Sequence, residues 1–170
     1  MLPRHLLAIA LLPFLMVVVV PWALLGGSAD PPPADPSALG LRLFVGAAVF
    51  VWGFAFFAWC VSLFGRVGRG TLAPWDPTRH LVVAGPYRYV RNPMISGVAL
   101  MLLGEAAFWG SAAVGLWAAA FLAINHLYFV LSEEPGLERR FGQEYRTYKA
   151  EVPRWIPRLR PWAGPDRGGS

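Results

Sequence analysis

Two adjacent carboxylates, Glu133 and Glu134, stand where a long apolar run gives way to a charged segment, with Pro135 directly after them. Proline disfavours helix in the residue before it, so the run is expected to end there. Acids at a helix C-terminus oppose the local field, which favours cations by roughly 0.3–1 kcal/mol per charge. They therefore ask for a partner: an arginine in a simple interhelical ion pair, or a ligand that is cationic and carries hydroxyls. The opposite charge is found in residues 80–93, HLVVAGPYRYVRNP. Gly85-Pro86 is a turn signal, and Arg88 and Arg91 share a face if that stretch is helical. Asn92 before Pro93 reads as an N-cap with proline at the first helical position. Arginines beside a helix N-terminus form an anion site. The alternative is that they bind lipid phosphates and fix topology.

Other polar residues offer less. Glu105 lies inside an apolar run near Trp109, where a hydrated or hydrogen-bonded structural role is expected, although an intramembrane carboxylate is a functional candidate by default. His126 is expected to be a satisfied polar contact. Cys60 is the only cysteine, so neither a disulfide nor a cysteine zinc cluster is available, and no metal site is expected. Nucleotide-loop, zinc-protease and nucleophile-elbow patterns are missing. No residue is singled out as catalytic.

The elements that position these groups are apolar helices. The 170 residues are 56% hydrophobic and only 15% charged, against about 25% charged in ordinary soluble domains. Residues 6–25 and 43–64 each carry no charge and meet the roughly 20 residues a membrane span needs. From Pro93 to Ser132 only Glu105 is charged, and at helical rise this stretch reaches about 60 Å, so it must fold back. Trp109-Gly110-Ser111 is the break, giving spans at 93–109 and 111–132. The expectation is a single all-α integral membrane domain over residues 1–170, with about four transmembrane helices and a C-terminal helical hairpin.

Charge supports that count. Residues 26–41, between the first two spans, carry Asp30 and Asp35 and no Lys or Arg, whereas residues 65–92 carry Arg66, Arg69, Arg79, Arg88 and Arg91. The positive-inside rule then puts both termini and the 65–92 loop in the cytoplasm. A cleaved signal peptide is the rival reading of residues 1–25, although the run exceeds a usual apolar h-region of about 7–15 residues. The net charge of +5 sits beside apolar segments, so it reads as topology and not as a nucleic-acid face. Arginine outnumbers lysine 14 to 1, pointing to a GC-rich bacterial genome and an inner-membrane location, and arguing against a prenylated protein as the natural substrate. Beyond Ser132, Leu137, Phe141, Tyr145 and Tyr148 share one helical face, expected as an amphipathic helix lying on the cytoplasmic surface. The segment VPRWIP, residues 152–157, follows as a proline-locked tail.

With HLVVAGPYRYVRNPM, EEPGLERRFGQEYRTYK and VPRWIP in that order around a hairpin, the chain resembles the isoprenylcysteine carboxyl methyltransferase and phospholipid methyltransferase superfamily of small membrane enzymes. The resemblance covers residues 76–161. It implies S-adenosylmethionine as cofactor, bound on the cytoplasmic side, and a lipophilic or lipid methyl acceptor reached from the bilayer. Carried over by position, it implies cofactor contacts at Arg79, His80, Leu81, Val82, Tyr87, Arg91, Asn92, Pro93, Glu133 and Glu134. Asn92-Pro93-Met94 and Glu133-Glu134-Pro135 look more like the phospholipid N-methyltransferases. Ile95 stands where an aromatic is usual, and no arginine precedes the acidic pair. Two other functions stay open: an NADPH-dependent membrane reductase of related fold, and a non-catalytic lipid- or partner-binding protein.

Overall fold

The computed structural model describes residues 12–28, 35–67 and 81–164. Among these the secondary structure is helical, with no strand. Helix α1 covers 12–28 and contains a π-helical turn at Leu15–Val19. Helix α2 is Pro36–Val67, α3 is Pro93–Trp109, α4 runs over 112–141 and α5 is Gln143–Glu151. A 3₁₀ turn, Gly85–Arg88, precedes α3.

Helix α2 starts seven residues before the expected position 43. Asp35 explains this, since its carboxylate accepts the Ser37 N–H at 2.9 Å and the Ser37 hydroxyl at 2.8 Å, with Pro36 as the first helical residue. The hairpin break falls where the sequence places it. Gly110 takes a left-handed φ of +63°, and the Ser111 hydroxyl accepts the Val114 N–H at 3.3 Å to cap α4.

Pro135, by contrast, does not end α4. The helix widens into a π-helical turn at Phe129–Glu133 and continues as Glu134–Phe141. A proline in a helix lacks one N–H and crowds the carbonyl four residues back, here that of Leu131. The wider turn contains that carbonyl and relieves the clash. The same solution recurs in α1, where the Leu15–Val19 turn lies just before Pro21. Glu133 and Glu134 are therefore interior helical residues, and the expected opposition of a helix C-terminus does not apply to them.

Two helices, Pro36–Leu63 and Ala112–Phe141, are long and apolar enough to cross a membrane, while Leu12–Gly26 and Pro93–Trp109 are shorter apolar helices. The chain divides into two units, one from residues 1–58 with 94–124 and the other from 59–93 with 125–170.

The first unit packs Val17, Val98, Met101, Leu102, Ala118 and Phe121 into a core. Its helices α2 and α3 meet on glycines: a Cβ on Gly104 would lie 2.5 Å from the Phe50 backbone nitrogen, and one on Gly46 equally close to that of Phe108. The π turn of α1 leaves the Met16 carbonyl free to accept the Trp117 indole N–H at 3.0 Å.

In the second unit the amphipathic stretch is not one helix. Gly142, with φ +54° and ψ −125°, separates α4 from α5. The expected face is nevertheless real, but the chain itself covers it. Tyr145 and Tyr148 are buried with Val152 and Trp162, and Leu81, Val83, Leu137 and Phe141 pack around them. After α5 the chain forms a strap bonded to the 88–91 segment. Arg91 N–H donates to the Pro153 carbonyl at 2.9 Å, Arg158 N–H to Tyr89 at 3.0 Å, and Trp162 N–H to Arg88 at 2.9 Å.

Candidate functional site

The second unit holds every residue expected to do chemistry that lies within the described range. Arg79 and His80 fall outside it. The site draws on three places: the turn before α3, the π turn of α4, and α5 with the strap, the C-terminal part of the 76–161 region in which no individual site residue was expected.

Glu134 is the hub. Its Oε1 receives Arg91 Nη1 at 2.7 Å and Arg154 Nη2 at 2.6 Å, and its Oε2 receives Lys149 Nζ at 3.0 Å. Glu134 is buried, with a side-chain exposure of 7%, and the two arginines are half-buried at 12%, whereas Lys149 is 38% exposed and also bonds Glu138 at 2.8 Å. One of the two partners expected for the acidic pair, an arginine from the 80–93 patch, is thus present as Arg91. Arg88 and Arg91 do not share a helical face. Arg88 lies in the 3₁₀ turn and donates its Nε–H to the Trp162 carbonyl at 2.7 Å.

Glu133 is treated differently. It is half-buried, yet among the described residues no cation or hydrogen-bond donor meets it. Its negative charge, with Cys60 and Tyr148 and after the larger effect of burial, holds the Tyr87 phenol well above its ordinary value. Tyr87 therefore stays a neutral hydroxyl at physiological pH. Tyr148 donates to the Tyr87 carbonyl at 2.6 Å, and its phenol is also raised, mainly by burial. Burial first, then the charge of Glu134, raises Tyr145.

Of the other expected contacts, Val82 and Pro93 are buried and Pro93 opens α3 directly after Asn92. Leu81 is half-buried and lines a cleft of about 560 Å³ together with Ala84, Gly85, Arg88, Glu144 and Trp162. Among the described residues no group of histidine, cysteine and carboxylate side chains could hold a metal.

Arg154 was missed as a site residue, although it lies inside VPRWIP. Besides Glu134 it approaches His126 Nδ1 at 3.0 Å, which also accepts the Trp155 indole N–H at 3.1 Å. Both partners only donate, so Nδ1 is the accepting nitrogen. His126 is the satisfied polar contact expected of it. Its place within VPRWIP is the one signal the sequence offers for it.

The arrangement places a cation-rich cluster around one carboxylate and leaves its neighbour unneutralised in a partly desolvated position. Such a carboxylate can take a cation or pair with hydroxyls. The family model described as phospholipid methyltransferase matches residues 41–144. A Haemophilus influenzae protein described as uncharacterized is 33% identical over 63 residues, which are 37% of this chain and 100% of that protein. No solved structure matches the chain.

Proposed function

The chain belongs to the phospholipid methyltransferase family, and from that premise we propose that it moves a methyl group from S-adenosylmethionine to a lipophilic acceptor in the membrane. The acceptor is an amine or carboxylate of the phospholipid or isoprenylcysteine kind. The observation that carries this reading is the division within the acidic pair. Glu134 is saturated by Arg91, Arg154 and Lys149, whereas Glu133 is half-buried with no counter-charge among the described residues. A partly desolvated carboxylate without a partner carries a cost, and a cationic cofactor reduces it; the 2′-phosphate of NADPH would add to it.

When bound, S-adenosylmethionine supplies a methyl group already activated on a sulfonium, so the protein's task is alignment. Holding donor and acceptor in line contributes up to about 7–11 kcal/mol. In this account Glu133 takes the ribose hydroxyls or the α-ammonium. Arg88, Arg91 and the helix start at Asn92 take the carboxylate. Glu134 acts as a positioning residue by fixing Arg91 and Arg154. Tyr87 offers a neutral hydroxyl beside Glu133, and Leu81, Val82 and Pro93 supply apolar wall. The resemblance adds Arg79 and His80, which lie outside the described residues. The acceptor enters sideways from the bilayer. The same account places four spans in a bacterial inner membrane, with both termini and the site on the cytoplasmic face.

The test is a pair of titrations and an assay on detergent-purified protein. Saturable calorimetric binding of S-adenosylhomocysteine without binding of NADPH is expected, as is transfer of label from methyl-tritiated S-adenosylmethionine into a solvent-extracted bacterial lipid fraction. Binding of NADPH alone would replace this reading with a reductase. Binding of neither would leave a non-catalytic membrane protein.

A further inference from the structure

Arg42 and Glu105 have no part in the chemistry above, and neither meets an ion-pair or hydrogen-bond partner among the described residues. Both belong to the first unit and lie along the seam where α2 and α3 pack. Beside that seam runs a groove of about 260 Å³, walled by Ala47, Phe50, Val51, Phe108 and Trp109 and interrupted by one polar residue, Glu105. Glu105 Oε2 is closed off without a hydrogen-bond partner. The residue itself forms part of the groove wall.

At the hairpin turn, five residues along from Glu105, the Arg42 guanidinium lies against Gly110. Arg42 Nε is likewise closed off with no acceptor. Five residues at helical rise separate the two levels by about 7.5 Å. An unpaired guanidinium thus stands at the hairpin end of the seam, and a carboxyl lies further along it within the apolar wall.

Each feature specifies a chemistry. A partly buried guanidinium requires an anion, and its planar fork of donors suits phosphate oxygens. In its protonated form a carboxyl among apolar side chains has an O–H to donate, and it then takes an acceptor such as a carbonyl. The groove takes a hydrocarbon chain. Trp109, half exposed at the helix end, has the amphipathic ring that favours the headgroup level of a bilayer.

We infer that this groove binds one diacyl glycerophospholipid, with its phosphate on Arg42, an acyl ester carbonyl accepting from Glu105, and the chain against Phe50, Val51 and Phe108. The site uses none of the residues assigned to methyl transfer and does not depend on that assignment. It is a structural lipid site of the first unit.

The test uses delipidated, detergent-purified protein with native mass spectrometry as the readout. Three probes are compared: dioleoyl phosphatidylglycerol, which carries no amine to methylate, its dialkyl ether analogue, and dioleoylglycerol. The ester phospholipid should be retained about tenfold more tightly than either analogue, each of which lacks one hydrogen-bonded group. Arg42→Ala should abolish the preference over dioleoylglycerol while Arg42→Lys keeps part of it. Glu105→Leu should abolish the preference over the ether analogue, whereas Glu105→Gln keeps it because its amide still donates. Equal retention of the three probes by the unmutated protein overturns the proposal, and that comparison stands even if a variant fails to fold. Unchanged preferences in folded Arg42→Ala and Glu105→Leu proteins overturn it as well.

Discussion

The first unit is held by shape and the second by charge. In the first, α2 and α3 touch through Gly46, Gly53, Gly97 and Gly104, and its core residues are aliphatic or aromatic. In the second, every ion pair found among the described residues is present, together with all five tyrosines of the chain. The difference follows from what surrounds each helix. Where the surroundings are as apolar as the side chains, burial of leucine or phenylalanine drives nothing, and close backbone approach through small residues supplies the contact. Large apolar side chains such as Phe44, Trp52 and Leu116 are accordingly left exposed. Short polar helices such as α5 have no such option, and they are fixed by a carboxylate hub, a buried aromatic cluster and backbone bonds to the strap.

The contrast breaks most severely at Glu134. Glu134→Gln leaves the half-buried Arg91 and Arg154 around a neutral amide, and removing one partner from such a network costs up to about 3 kcal/mol, the lower end of the fully buried case. Thermal unfolding should shift down markedly, with hydrogen exchange rising first in α5 and the strap and not in α3. A uniform rise across both units would show that charge in one does not act locally.

Next in size is Gly104→Ala. The added methyl would meet the Phe50 backbone nitrogen at 2.5 Å and the Gly46 carbonyl at 2.8 Å. Backbone cannot step aside as a side chain can, so a loss of about 1–3 kcal/mol is expected. Here exchange should rise first in α2 and α3. An unchanged melting temperature would remove the glycine seam from the account.

A smaller and more selective effect comes from alkali. Tyr87, Tyr145 and Tyr148 are raised above their ordinary value of 10.0, chiefly by burial. A raised group keeps its proton in the folded state after the unfolded chain has lost it. Stability from these phenols is therefore complete below pH 10 and falls as pH rises above it. The loss for each phenol is at most about 1.4 kcal/mol per pH unit. The second unit should loosen above pH 10 while the first, which has no tyrosine, holds. Tyr148→Phe should flatten that dependence while lowering stability at neutral pH, because the Tyr87 carbonyl loses its donor. Monitoring exchange in α5 against α3 across this range checks both statements.

The first unit was the more legible in sequence. The Trp109-Gly110-Ser111 break and the onset of α3 are local signals that appear where expected, while the helix expected from residue 43 begins earlier, at Pro36. The second was legible only in part. The shared face of Leu137, Phe141, Tyr145 and Tyr148 was visible, but not that Trp162 and Val152 would cover it, because Arg158 reaches Tyr89 by a backbone bond that spans 69 residues and no local pattern records it. Pro135 was misleading for a related reason. Its effect depends on whether the preceding turn can widen, and both prolines preceded by π turns show that it can. Within the site, Arg91 and the acidic pair were legible as opposite charges. Lys149 and Arg154 were not, since nothing in their own neighbourhood points to Glu134.

Central to the functional account is that neighbouring carboxylates do different work, Glu133 meeting the cofactor and Glu134 building the site. Calorimetric titration of S-adenosylhomocysteine into Glu133→Gln protein, with its melting temperature measured alongside, tests this most directly. Binding about tenfold weaker at an unchanged melting temperature is the expected result, matching the loss of one charged hydrogen bond. Affinity equal to that of the unmutated protein would contradict the account and remove Glu133 from the cofactor site.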